Sequence, residues 1–241
     1  MEIRFAVTFT WSSLFAATLL TGCGPTAHIP PRPVTVPSAL SPDDPAAHTA
    51  RALAPVLYLQ RDEWFHLERV VAIHHPNRPI IGYYLLWRDD VQGAWIPGTK
   101  ATDEEIVWVG YDSTEAPTDI WTYWHGSILH SDWRGRGPVA VDVQWGKHGS
   151  IPRGTSDEAT TWPKTLSNFW VSSWVTIPDV VLGRASRRGP LCFCHGFRRY
   201  TTFDRPLATA DRIDVIARAE DPDAVLGAVF GRPYSKKRPW P

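Results

Sequence analysis

Residues Ile80-Ile81-Gly82-Tyr83-Tyr84-Leu85-Leu86-Trp87 form an eight-residue run with no charge and no polar break. A run this short is the length of a strand rather than a helix, and its β-branched and aromatic residues favour an extended backbone. A strand whose two faces are both apolar must be covered on both sides. This one segment therefore demands a sheet with layers packed above and below it. Other segments answer the demand. Ala54 to Leu59, Val70 to Ile73, Glu105 to Tyr111, Thr118 to His125 and Val139 to Trp145 are short and β-rich, and each is bounded by Gly, Pro, Asp or Asn. Their spacing is irregular, with loops of about 8–15 residues, and no repeat is visible, which predicts a sandwich rather than a propeller. The expected fold is mainly β: an antiparallel β-sandwich with long irregular loops and a short C-terminal helix. Thirteen tryptophans fit such a core.

The helix is read from its punctuation. Asp221 supplies an N-cap, Pro222 occupies the first turn, and Gly231 closes the segment. Trp162 to Val175 reads as strand or irregular cover. The basic tail Lys236-Lys237-Arg238-Pro239-Trp240-Pro241 reads as loose.

The N-terminus points to export. Arg4 precedes an uncharged stretch from Phe5 to Leu20, 16 residues long. A transmembrane helix needs about 20 apolar residues, and no basic stop-transfer cluster follows, so the segment reads as a secretory signal. Its boundary, Leu20-Thr21-Gly22-Cys23, resembles the lipobox of bacterial lipoproteins. That resemblance makes residues 1–22 a signal peptide and Cys23 the lipidation site, with palmitate-type acyl chains as the membrane anchor. Gly24 rather than Asp after the cysteine resembles the outer-membrane sorting pattern of Gram-negative cells. Residues 23–49 are rich in Pro, Ala, Thr and Ser and read as a semi-extended tether. The folded domain is expected over residues 50–241. Lys plus Arg and Asp plus Glu both number 25, so there is no net field to steer nucleic acid. The membrane is the expected partner, and the sequence names no protein or glycan partner.

With Cys23 lipidated, Cys192 and Cys194 remain, in Leu-Cys-Phe-Cys-His. They admit three readings: reduced structural thiols, a redox-active disulfide, or a metal site with His195. An oxidised or buried structural pair is the favoured one.

The chemistry-bearing residues gather around strand ends. Asp103 and Glu105 are two apart and share a face on an extended backbone. Trp124-His125-Gly126, His130-Ser131-Asp132 and Gly146-Lys147-His148-Gly149-Ser150 are the other groups. Two carboxylates and two imidazoles are a fair ligand set for Ca²⁺, Mg²⁺, Mn²⁺ or Zn²⁺, or for acid–base hydrolysis. Alternatively, His125 and His148 cap strand ends, and His130 with Asp132 belongs to a loop. No nucleophile elbow, P-loop, dinucleotide fingerprint or His-Glu-x-x-His is present.

Asp103 and Glu105 before a strand, Tyr123-Trp124-His125-Gly126, and Pro138 to Ser150 with His148 together resemble a broad family. It is the Vps62-like group, related to the necrosis-inducing (NPP1-like) proteins. Ala54-Pro55-Val56-Leu57-Tyr58-Leu59 resembles the opening strand of that family, and the match spans residues 52–150. The resemblance implies a β-sandwich with a divalent-metal site at one end of the sheets, held by Asp103, Glu105, His125 and His148. It also implies engagement of membrane lipid headgroups. The chain departs from the pattern at Glu104, where the family has Trp, and at Thr99-Lys100-Ala101-Thr102, where the family has His. Two functions follow as expectations. One is a lipid-anchored cell-envelope protein with a ligand-binding or structural sandwich domain. The other is a metal-dependent hydrolase of envelope or extracellular esters or glycans.

Overall fold

The computed structural model describes residues 35–60, 63, 65–90, 103–124, 126–133, 135, 137–154 and 203–241. The signal segment, Cys23, His125, the 162–175 segment, Cys192, Cys194 and His195 lie outside the described residues. Two sheets carry the fold. The larger has six strands: β2 (Leu67–His74), β3 (Ile80–Trp87), β4 (Glu104–Tyr111), β5 (Pro117–Trp124), β6 (Ser127–Asp132) and β10 (Ile213–Arg218). Its order is β10-β2-β3-β4-β5-β6. The smaller sheet has the order β8-β7-β1-β9, from β1 (Val56–Leu59), β7 (Ala140–Val143), β8 (Ser150–Pro152) and β9 (Arg205–Ala208). The mainly-β sandwich is thus as expected, and so is the C-terminal helix. Most strand pairs are antiparallel, but β1 with β7 and β2 with β10 run parallel.

The apolar run Ile80–Trp87 becomes β3, and every residue of it is buried. Its odd-numbered residues Ile81, Tyr83, Leu85 and Trp87 face the smaller sheet, packing with Leu57, Val141 and Val107. Its even-numbered residues Tyr84 and Leu86 face outward onto α2 (Asp223–Phe230) and Trp240. Side chains alternate across a strand, so one central strand serves two cores.

α2 begins one residue later than read, with Pro222 at the cap position and Asp223 the first helical residue, and its Gly231 stop is as read. The Asp221 carboxylate accepts from the Asp223 amide at 3.0 Å, and Gly231 closes the helix in the left-handed region at φ 62°. The start of the domain is earlier than the sequence reading placed it. Pro45–Ala52 forms a helix, α1, capped by the Asp44 side chain, which accepts from Ala46 N–H at 2.8 Å. Ala47 and Ala50 are buried in the main core, and Leu40 N–H bonds Ile216 C=O at 2.8 Å. Pro45, which reads as tether, here presets the first helical turn, where the missing N–H costs nothing.

The C-terminal tail is not loose. Pro239 C=O accepts from Tyr84 OH at 2.7 Å and from Trp108 Nε1 at 2.9 Å. Trp240 Nε1 donates to Glu220 C=O at 2.7 Å. The tail straps the outer face of the six-stranded sheet because two buried aromatics need acceptors there.

Candidate functional site: a buried charge network

The end of the sandwich where β3 finishes and β4 begins holds a group of buried ionisable side chains. At its centre is His148, in the turn between β7 and β8. That turn is built on left-handed backbone at Gly146 (φ 66°) and at His148 itself (φ 54°). His148 N–H bonds Gln144 C=O at 3.0 Å, and Gln144 N–H bonds Gly149 C=O at 2.9 Å. Histidine is one of the few side chains seen with some frequency at positive φ, and the turn aims the ring inward rather than out to solvent.

The imidazole is wholly buried and lies flat on Trp87, with centroids 4.0 Å apart and planes 5° from parallel. Phe65 meets its edge at 5.9 Å. Each ring nitrogen faces a carboxylate. Nδ1 is 2.7 Å from Asp103 Oδ2, and Nε2 is 3.3 Å from Glu63 Oε1. Glu63 is held in turn by the amides of Gly146 at 2.9 Å and Phe65 at 3.1 Å. The network ties the smaller sheet, through the β7–β8 turn, to the six-stranded sheet, through Asp103 at the entrance to β4.

A second cation lies beside the first. Lys237, from the tail, is 2.5 Å from Glu105 Oε1 and donates to Glu104 C=O. Its side chain is 11% exposed and that of Glu105 is 7%. Lys147 pairs with Asp90 nearby.

Burial opposes every one of these charges, and the partners decide the outcome. Burial alone would depress His148, but Glu63 and Asp103 outweigh it and raise the imidazole to about 9. Burial likewise presses Glu63 and Asp103 upward. His148 and the amide donors pull Glu63 below the usual range, and His148 with Lys237 does the same for Asp103. Glu105 is raised by burial to about 7 against the pull of Lys237, and Glu104, also buried, to about 8. The arrangement is an imidazolium clamped by two carboxylates and an ammonium clamped by a third.

Of the four residues expected to hold a cation, Asp103 and His148 are in direct contact, Glu105 is drawn to Lys237, and His125 lies outside the described residues. Glu63 and Lys237 were not foreseen. Glu63 sits in Asp62-Glu63-Trp64-Phe65, behind a second acid, and no local pattern distinguishes it as the buried one. Lys237 is masked by its basic neighbours Lys236 and Arg238. Among the described residues, the ligand atoms that come within 4.8 Å of one another belong to Asp119, His130 and Asp132. His130 and Asp132 lie on a strand, β6, rather than in a loop. His130 Nε2 is 2.8 Å from Asp119 Oδ1.

Two stability predictions arise here. His148, Glu105 and Glu104 all have folded pKa values above their ordinary ones. Between about pH 5 and 9 the folded chain holds protons that the unfolded chain releases, so stability falls as pH rises. Glu63 and Asp103 work the other way and withdraw stability in acid, as pH falls through their lowered values. Thermal unfolding across pH 3–10 is expected to show its highest midpoint near about pH 5–6 and a steady decline toward pH 9. A flat profile from pH 6 to 9 would refute the buried network. Gly149 is the second. A Cβ there would lie 2.7 Å from Trp124 Cε3 and 2.9 Å from Cζ3. Gly149→Ala is expected to cost about 1–3 kcal/mol in urea unfolding.

No protein-family model matches the chain, and no curated protein matches it. Solved structures of NLPPya, a necrosis and ethylene-inducing peptide 1-like protein, do. One is NLPPya in complex with mannosamine and another is NLPPya in complex with glucosamine. Each is 13% identical, with a TM-score of 0.36, and the match covers 50% of this chain and 72% of that one.

Proposed function

We propose that the chain is an exported, lipid-anchored cell-envelope protein whose β-sandwich is a ligand-binding module rather than a metal-dependent hydrolase. The observation that carries the binding reading is the mutual neutralisation of the buried charges. His148 has no exposed surface and is flanked by Asp103 and Glu63, while Lys237 takes up Glu105. A hydrolase needs its acid–base groups within reach of substrate, with lone pairs to spare. His148 and Asp103 are buried against each other and tie the two sheets together, and Lys237 holds one oxygen of Glu105. The anchor rests on the uncharged segment Phe5 to Leu20 and on Leu20-Thr21-Gly22-Cys23. The outer membrane, in a Gram-negative host, is the destination that Gly24 favours.

Two measurements test the reading together. Cells fed an alkyne palmitate analogue should yield labelled protein, and Cys23→Ser should abolish the label. An unlabelled wild-type protein ends the anchor. Elemental analysis of the purified full chain should find no stoichiometric divalent metal, with no drop in unfolding midpoint in chelator. A tightly bound, stoichiometric metal lost on substitution of Asp103 would restore the hydrolase.

A further inference from the structure

Asp103, Glu104 and Glu105 are three acids in succession, and all three are buried at the entrance to β4. Carboxylates buried this densely are costly unless cations meet them. His148 meets Asp103 from one side, at 2.7 Å. Lys237 comes from the other. Its ammonium lies 2.5 Å from Glu105 Oε1, donates to the Glu104 carbonyl, and is attracted as well by Asp103 and by the Glu104 carboxylate.

The tail holds this ammonium in place from both directions. Before it, Ser235 Oγ accepts from Glu104 N–H at 3.0 Å, and Lys236 pairs with Asp223 at 2.6 Å. After it, Pro239 C=O accepts from Tyr84 and Trp108. A lysine head group ordinarily stays in water, but this side chain is 11% exposed and turned inward. The Tyr123 ring lies 5.3 Å from the ammonium. Oxygens and an aromatic face are the surroundings of a bound cation.

The family resemblance implies a divalent ion held by Asp103 and Glu105. As folded, these residues do not fit one. Such an ion needs several oxygens at about 2.0–2.6 Å. Lys237 engages Glu105 Oε1 and the Glu104 carbonyl, and His148 engages Asp103 Oδ2. Glu105 Oε2 is left buried with no hydrogen-bond partner. A buried acceptor without a partner is a cost, so the ammonium does not use the whole oxygen set around it.

We infer that Lys237 is a tethered cation: the C-terminal tail inserts its ammonium into an oxygen set that, without it, takes a divalent ion of the Ca²⁺ or Mn²⁺ class. This deepens the metal-free binding-module reading and rests on it, since the chain then carries its own counter-charge. With Lys237 removed, both Glu105 oxygens and the Glu104 carbonyl face the ion beside Asp103, and an all-oxygen set suits hard cations.

Titration of the full chain with MnCl₂ at pH 7, read by calorimetry and by unfolding midpoint, is the test. Lys237→Met should bind one Mn²⁺ per chain at least about tenfold more tightly than wild type, and Mn²⁺ should raise the midpoint of the variant alone. Lys237→Arg, which keeps the charge, should behave as wild type. Glu105→Gln in the Lys237→Met background should lose the ion. If Lys237→Met does not fold, Lys237→Gln, whose amide can still donate to the Glu104 carbonyl, gives the same two readouts. Equal Mn²⁺ binding by wild type and the neutral variant overturns the proposal, as does no binding by a folded neutral variant or binding that Glu105→Gln leaves unchanged. The wider reading fails on a different result, a stoichiometric metal that the wild type retains through purification.

Discussion

His148→Asn is expected to destabilise the protein by about 3–5 kcal/mol at pH 6, because it leaves two buried carboxylates without their shared cation. Asparagine tolerates left-handed backbone, so the turn at φ 54° is kept and the loss reports charge and packing. Two terms contribute. Glu63 and Asp103, with side chains 2% and 7% exposed, must then protonate or stay ionised in an apolar setting. The smaller side chain also gives up the ring stack on Trp87. A control separates them. In the triple variant Glu63→Gln, Asp103→Asn, His148→Asn no charge of the His148 clamp is left to strand, so part of the electrostatic cost should return, while the packing cost and the loss of Asp103 beside Lys237 remain. Urea unfolding measures both. A single-variant loss below about 1 kcal/mol would mean that the three groups are not coupled.

The legible parts of this fold were those where one physical demand dominates. Ile80–Trp87 could only be a doubly covered strand, and Asp221 to Gly231 carried the stop and start signals of a helix. Elements whose pattern depends on a neighbour were hidden. β6 is an edge strand with half-buried and exposed residues throughout, so Ser127–Asp132 has no apolar face to announce it. β9 contains Pro206 and lies at the edge of the smaller sheet, where proline is tolerated. α1 is short, and its burial falls on Ala47 and Ala50, too small to give an apolar stripe. The site was half legible for the same reason. Asp103 and His148 stood out as chemistry at strand ends, and they do meet. Glu63 and Lys237 are contributed from more than 80 residues away on either side of one another's partners, and no local pattern marks a partner at that range.

Lys237→Met should be nearly neutral at pH 5 and cost about 3–5 kcal/mol at pH 9, and that widening gap is the signature of its role. In the wild type Glu105 titrates near 7 even with the ammonium beside it. Below that value Glu105 is protonated, and Lys237 is a buried cation whose main compensation is Asp103. Methionine has nearly the same volume and no desolvation cost, so the exchange loses little there. Above it the ion pair with Glu105 is formed in the wild type. In the variant, Glu105 and Asp103 lose that cation, and Glu105 can stay neutral only by holding its proton to a still higher pH. The folded variant therefore binds more protons than the unfolded chain over a wider range, and its stability falls more steeply as pH rises. If Lys237 only packed its methylene stem against Tyr123, whose ring lies 5.3 Å from the ammonium, the difference between variant and wild type would be the same at both pH values. Urea unfolding of the two proteins at pH 5, 7 and 9 decides between these accounts, and a constant difference would remove Lys237 from the network.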